Sequence, residues 1–153
     1  MPKLLDINTW IALSLEGHPH HHIARQWYEQ TPLQPGDLLF CRQTELGFLR
    51  LTTQERVMAS CGCKALTNAE AIAFLAQVSA DPAVSRADEP PATRSLWLQL
   101  AASPLASPNV WMDAYLAAFA IATNAEMVTL DQDFKTYEPH GLKLHLLTAA
   151  KAK

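Results

Sequence analysis

Short apolar runs alternate along this chain with longer stretches of helical periodicity. Leu4–Asp6 reads as a first strand, and Asn8 to Leu15 as a helix with Trp10, Ile11 and Leu13 on its apolar stripe. A second helix restarts after Gly17 in "EGHPHHHIARQWYEQ", where Ile23, Ala24, Trp27 and Tyr28 mark one face. "TPLQPGD" is a loop by its Pro and Gly content, "LLFC" is a second strand, and one longer helix is expected from Arg42 to about Met58. "ASCGCKAL" breaks that pattern, and Thr67 with Glu70 forms a capping-box start for a helix through Ile72, Phe74, Leu75 and Val78. "AVSRADEPP" predicts a brief strand and turn, Arg94–Ala102 a helix, and "SPLASPN" a loop. "VWMDAYLAAFAIATN" is the most hydrophobic helix and stops near Asn124. Strand "EMVTL", a turn with a short helix in "DQDFKTY", and strand "LKLHLL" follow.

Strands separated by helices imply parallel β–α–β crossovers, hence an α/β fold whose central parallel sheet is covered by helices on both faces. In open sheets of this kind ligands bind beyond the C-terminal ends of the strands. The 153 residues are expected to form a single domain, residues 1–153, large enough to bury its own core. With 49% hydrophobic and 18% charged residues, a disordered chain is excluded. No apolar run of about 18 residues is present, so no membrane helix is expected. The start of the chain, with a lone Lys3 and then Asp6, does not read as a signal peptide. An odd set of three cysteines, Cys41, Cys61 and Cys63, suits a reducing compartment, and the cytoplasm is the expected location. Cys61-Gly62-Cys63 lacks the second Cys/His pair that a structural zinc site needs.

Four acids stand where a core would not want them. Asp6 ends the first strand, Asp131 follows "EMVTL" directly, and Glu45 lies in the first turn after "LLFC". All three therefore belong to one sheet edge if the strands run parallel. Glu45 shares its helix face with Phe48 and Leu49, and Asp113 shares its face with Leu116 and Ala117. A carboxylate on an apolar face is costly unless it meets a cation or metal. Taken singly, Asp6 and Asp131 could be capping or turn residues, and Glu45 and Asp113 could favour helix N-termini. Taken together, they are oxygen ligands suited to Mg²⁺ or Mn²⁺, which can activate water against a phosphodiester. The net charge of −3 argues against a broad basic groove for nucleic acid. Setting the four acids aside leaves eleven acids against twelve Lys and Arg, so a nucleic-acid substrate is not excluded.

"LLDINTWIAL", "TELGFLRL", "DAYLAAFA" and "TLDQDF", in that order and spacing, resemble the four blocks of the PIN-domain ribonucleases, and most nearly the toxins of the VapBC toxin–antitoxin type. The resemblance implies a three-layer α/β/α PIN-like fold and a metal-dependent endoribonuclease acting on RNA. It further implies a cognate antitoxin as partner. "RQWYEQ" and the Thr67–Ala80 helix carry more apolar surface than so small a domain buries alone, so a homodimer is expected. By the same resemblance Asp6, Glu45, Asp113 and Asp131 are the catalytic and metal-holding residues for Mg²⁺ or Mn²⁺, with Asn8, Thr9 and Asp133 in support. Asp131 is preferred to Asp133 as the ligand because it is nearer the strand end. Trp111 and Met112 before the helix acid depart from the small or polar residues common there.

Other readings are weaker on the residues. "LLDINT" superficially matches the D-x-D-x-T of haloacid-dehalogenase-type phosphatases, but Asn8 replaces the acid that serves there as general acid, and no convincing downstream Lys follows. A PIN-like module that binds RNA or protein without cutting would be expected to have lost acids. His18, His20, His21 and His22 lie at a helix start with no further ligand in evidence, and they read as solvated or packing residues. Trp27 and Tyr28 could stack on bases, but at helical spacing with Ile23 and Ala24 they read as core or dimer contacts. Arg42, Arg50 and Lys135 are candidates for phosphate contacts or simple surface charge.

Overall fold

A computed structural model describes residues 1–148; the expected single domain also takes in residues 149–153, which lie outside the described residues. The strands are β1 (Lys3–Leu5), β2 (Leu38–Phe40), β3 (Val84–Arg86), β4 (Glu126–Thr129) and β5 (Lys143–Leu146). They form one sheet in the order β3-β2-β1-β4-β5, and every neighbouring pair is parallel. Helices α1 (Ile7–Ser14), α2 (His21–Gln30), α3 (Arg42–Thr52), α4 (Glu55–Ser60) and α5 (Asn68–Ser79) connect the first three strands. Helices α6 (Thr93–Ala101) and α7 (Val110–Ala122) lead back to β4, and a 3₁₀ segment (Gln132–His140) leads to β5.

Side-chain alternation along the strands divides the core in two. Leu4, Leu39 and Met127 face one layer with Ala114, Ala117 and Phe119 of α7. Leu5, Leu38, Phe40 and Val128 face the other, with Trp10 and Ile11 of α1, Trp27 of α2 and Phe48 of α3. Because both faces are covered, the three central strands carry short continuous apolar runs, as buried parallel strands do, whereas edge strands β3 and β5 carry polar residues. The Trp10 ring stacks on Phe40 at 3.8 Å between centroids and fixes α1 against β2.

The expected helix from Arg42 to Met58 is two helices. Thr52 and Thr53 turn their hydroxyls back onto the carbonyls of Phe48 and Leu49 at 2.9 Å each, the competing bond that weakens a helix from within. Gln54 then takes an extended conformation and α4 starts afresh. Two glycines set how closely elements approach. A Cβ on Gly47 would lie 2.2 Å from the Ile7 side chain, so α3 packs directly on the start of α1. A Cβ on Gly17 would lie 2.0 Å from the Cys61 carbonyl oxygen, so the turn between α1 and α2 sits tight against the end of α4.

Candidate metal centre

The acids gather where strands end and helices begin. Asp6 follows β1 and caps α1, accepting the Thr9 N–H at 2.7 Å. Its other oxygen accepts the hydroxyl of Thr129, the last residue of β4. The same Thr129 oxygen accepts the Asp131 N–H at 2.9 Å, so one threonine ties the two strand-end acids together. Asp131 caps the 3₁₀ segment and accepts the Asp133 N–H at 2.9 Å. Asp113 lies in the first turn of α7, the helix that runs back antiparallel to β4. Helix N-termini carry partial positive charge, which partly offsets this crowd of carboxylates.

Burial and crowding leave a clear electrostatic signature. Asp6 is 5% exposed, and burial pushes its carboxyl above the usual range, with Asp131 adding to the rise against the bonds from Thr129 and Thr9. Asp113 is pushed up to about 6, first by partial burial and then by the charges of Asp131, Asp6 and Asp133. No ion pair to Asp6, Asp113 or Asp131 is formed among the described residues. Exposed Asp133 acts on Asp113 alone of these acids, whereas Asp131 acts on both Asp6 and Asp113. Asp131 thus bears on both raised carboxyls.

Glu45 stands differently. It is 8% exposed and is met by two cations, Arg42 at 3.2 Å and Arg86 at 3.1 Å. Its Oε2 lies near Arg42 but forms no hydrogen bond. As the side chains stand, the described residues include no group of three His, Cys, Asp or Glu close enough to ligate one ion.

The PIN domain profile matches residues 3–138. Ribonuclease VapC41 of Mycobacterium tuberculosis is 42% identical over 145 residues, covering 94% of this chain and 97% of that protein. The chain belongs to the PIN-domain VapC ribonucleases. Ribonuclease VapC31 of the same organism is 30% identical over 134 residues, covering 88% of this chain and 92% of that protein. Among solved structures, VapBC2 from Rickettsia felis, bound to a DNA fragment from its promoter, aligns with a TM-score of 0.64 at 15% identity, covering 97% of this chain and 100% of that one. VapC20 of M. tuberculosis, a toxin that cleaves the sarcin–ricin loop, aligns at 0.60 with 16% identity, covering 92% and 95%. At such identities these two structures establish a shared fold. Membership of this family sets aside the phosphatase reading of "LLDINT".

VapC ribonucleases of the PIN type depend on divalent metal, and the donor chemistry here fits one. The inner acids supply only oxygen, the preference of hard cations. Among the described residues no cation meets Asp113, which is held beside the charges of Asp131, Asp6 and Asp133. A dication is a group that would relieve the crowding of Asp6, Asp113 and Asp131.

Sequence reasoning missed four contributors. Thr129 is signalled only as a polar residue in an apolar strand. Arg86 closes strand β3 and reaches Glu45 because β2 and β3 are neighbours. His18 and His20, expected to be solvated or packing residues, line the acid cleft with Asp6, Asn8 and Asp131. Of the basic candidates, Arg42 reaches Glu45, Arg50 faces a separate groove with Ile72, and Lys135 is exposed. Among the described residues no helix is long and apolar enough to cross a membrane.

Proposed function

We propose that this protein is a metal-dependent endoribonuclease, the toxin of a type II toxin–antitoxin pair, acting in the cytoplasm. Asp6, Glu45, Asp113 and Asp131 are its catalytic, metal-holding residues, and Mg²⁺ or Mn²⁺ is the ion. The observation that carries this reading is the clustering of Asp6, Asp113 and Asp131 at the strand ends with no ion pair to them among the described residues; partial burial, and then the neighbouring acids, push Asp113 up to about 6. A divalent ion held there would lower the pKa of a water and neutralise charge developing on a phosphate. Asp6 is clamped by Thr9 and Thr129, so it keeps its position whether or not RNA is present. Asp131 is held through the same threonine. Thr9 is buried and donates its N–H to Asp6, Asn8 is exposed at the cleft, and exposed Asp133 donates its N–H to Asp131. Glu45 is drawn to Arg42 and Arg86 while no dication competes for it.

The solved VapBC assemblies support a cognate antitoxin as partner. Helix α5 supports a homodimer: it buries only Ala71 fully and leaves Ile72 62% exposed, an apolar face that a second copy would cover. The test is cleavage of end-labelled RNA by the purified protein. Cutting that requires a divalent cation and is lost in Asp113→Asn supports the reading. Tight RNA binding without any cutting would favour a non-catalytic PIN-like module instead.

A further inference from the structure

The acid cleft, a space of about 450 Å³, has one wall lined by His18 and His20. It is built by the turn of residues 15–20 between α1 and α2, and this turn is held from three sides. The His18 N–H donates to the Leu15 carbonyl at 3.0 Å, and the His21 N–H donates to the His18 carbonyl at 3.0 Å. The His21 ring reaches back to the Ala12 carbonyl through Nδ1 at 2.8 Å. Gly17 lies so close to the Cys61 carbonyl that no side chain fits between them. The wall is therefore fixed relative to Asp6, which caps the other end of α1.

Within it, the His20 N–H donates to Nδ1 of His18 at 3.0 Å. A nitrogen that accepts a bond carries no proton, so the neutral imidazole of His18 must carry its proton on Nε2. Partial burial, and then the rings of His20 and His21, hold His18 below the usual histidine range. With Nδ1 engaged and Nε2 protonated, His18 is a poor metal ligand. It is a good single donor at the edge of a cleft whose other walls offer mainly acceptors.

We propose that His18 is a substrate-binding residue whose Nε2–H donates to a phosphate oxygen of an RNA strand lying across the acid cleft. This rests on the RNA-cleaving reading of that cleft. A neutral donor suits the place, since it recognises the phosphate without drawing the carboxylates away from a cation. The partner is an oxyanion, so the bond is charge-assisted, and its loss weakens binding roughly 10- to 100-fold.

Two substitutions separate contact from scaffolding. His18→Asn offers an amide oxygen near the place of Nδ1, keeping the turn bond to His20 but removing the distal donor. His18→Gln extends an amide N–H toward the place of Nε2 but gives up the turn bond. Both are made in an Asp113→Asn background, so that labelled RNA stays intact, and binding is read by fluorescence anisotropy with Mg²⁺ present. The expected result is a dissociation constant raised about tenfold or more by His18→Asn and changed less than about threefold by His18→Gln. Equal weakening by both, no effect of His18→Asn, or no RNA binding at all would overturn the assignment. Failure of the unsubstituted protein to cut RNA that it binds in this His18-dependent way would overturn the nuclease reading alone.

Discussion

Replacing Asp113 by Asn should stabilise the metal-free protein at neutral pH while removing its activity. The carboxyl is raised from the ordinary value of 3.8 to about 6 by partial burial and by Asp131, Asp6 and Asp133. At about 1.4 kcal/mol per tenfold change in proton affinity, that rise corresponds to roughly 3 kcal/mol. Asp113 is only half-buried, so solvent screening reduces the figure to about 1–2 kcal/mol. The fold holds the Asp113 proton more tightly than the unfolded chain does. Below the ordinary value both states are protonated and nothing is lost. As pH rises to about 6 the unfolded chain ionises first, so the wild type progressively loses stability, and above about 6 the loss is complete. Asn does not titrate and escapes it. In EDTA at pH 7.5 the melting temperature of Asp113→Asn should exceed that of the wild type by roughly 2–8 °C. At pH 4.5 the gain should fall to about a third of that. Saturating Mn²⁺ should close the gap by stabilising the wild type. A gain equal at both pH values, or a less stable variant at pH 7.5, would refute the electrostatic argument.

Asp6→Asn keeps a good N-cap and should unfold within about 0.5 kcal/mol of wild type, whereas Asp6→Ala should lose about 1 kcal/mol; urea titration of both separates the cap from the charge. Both should cut RNA at background rates. Gly47→Ala places a methyl against Ile7 and should cost about 1–3 kcal/mol, seen as a lower urea midpoint with an unchanged slope. Arg86→Ala leaves Glu45 one cation short and should cost about 1 kcal/mol in EDTA, and less once Mg²⁺ is added; calorimetric melts under both conditions measure it.

The acids were legible because each violates a local rule. Glu45 and Asp113 sit on otherwise apolar helix faces, and Asp6 and Asp131 end buried strands; the structure brings Asp6, Asp113 and Asp131 near one another, while Glu45 meets Arg42 and Arg86. What answers each acid was not legible. Arg86 meets Glu45 only because β3 pairs with β2, an adjacency that strand-sized runs do not encode. Thr129 bridges Asp6 and Asp131 through β1–β4 pairing, which is equally non-local. The break after Thr52 escaped a reading based on apolar spacing, since the apolar stripe continues while the threonine hydroxyls end the helix. Of the histidine run, His20 and His22 are exposed as expected, and the half-burial of His18 was not legible because its turn packs through Gly17 on the Cys61 carbonyl, a contact between segments distant in sequence.

The central claim is that the carboxylates at the strand ends form one divalent-metal site. Titration of Mn²⁺ into the metal-free protein, followed by electron paramagnetic resonance of the free ion, tests it without RNA. The account predicts saturable binding to the wild type near pH 7.5, sharply weaker binding at pH 4.5 as Asp6 and Asp113 take up protons, and its loss in an Asp6→Asn, Asp131→Asn double variant. Undiminished Mn²⁺ binding by that double variant would contradict it.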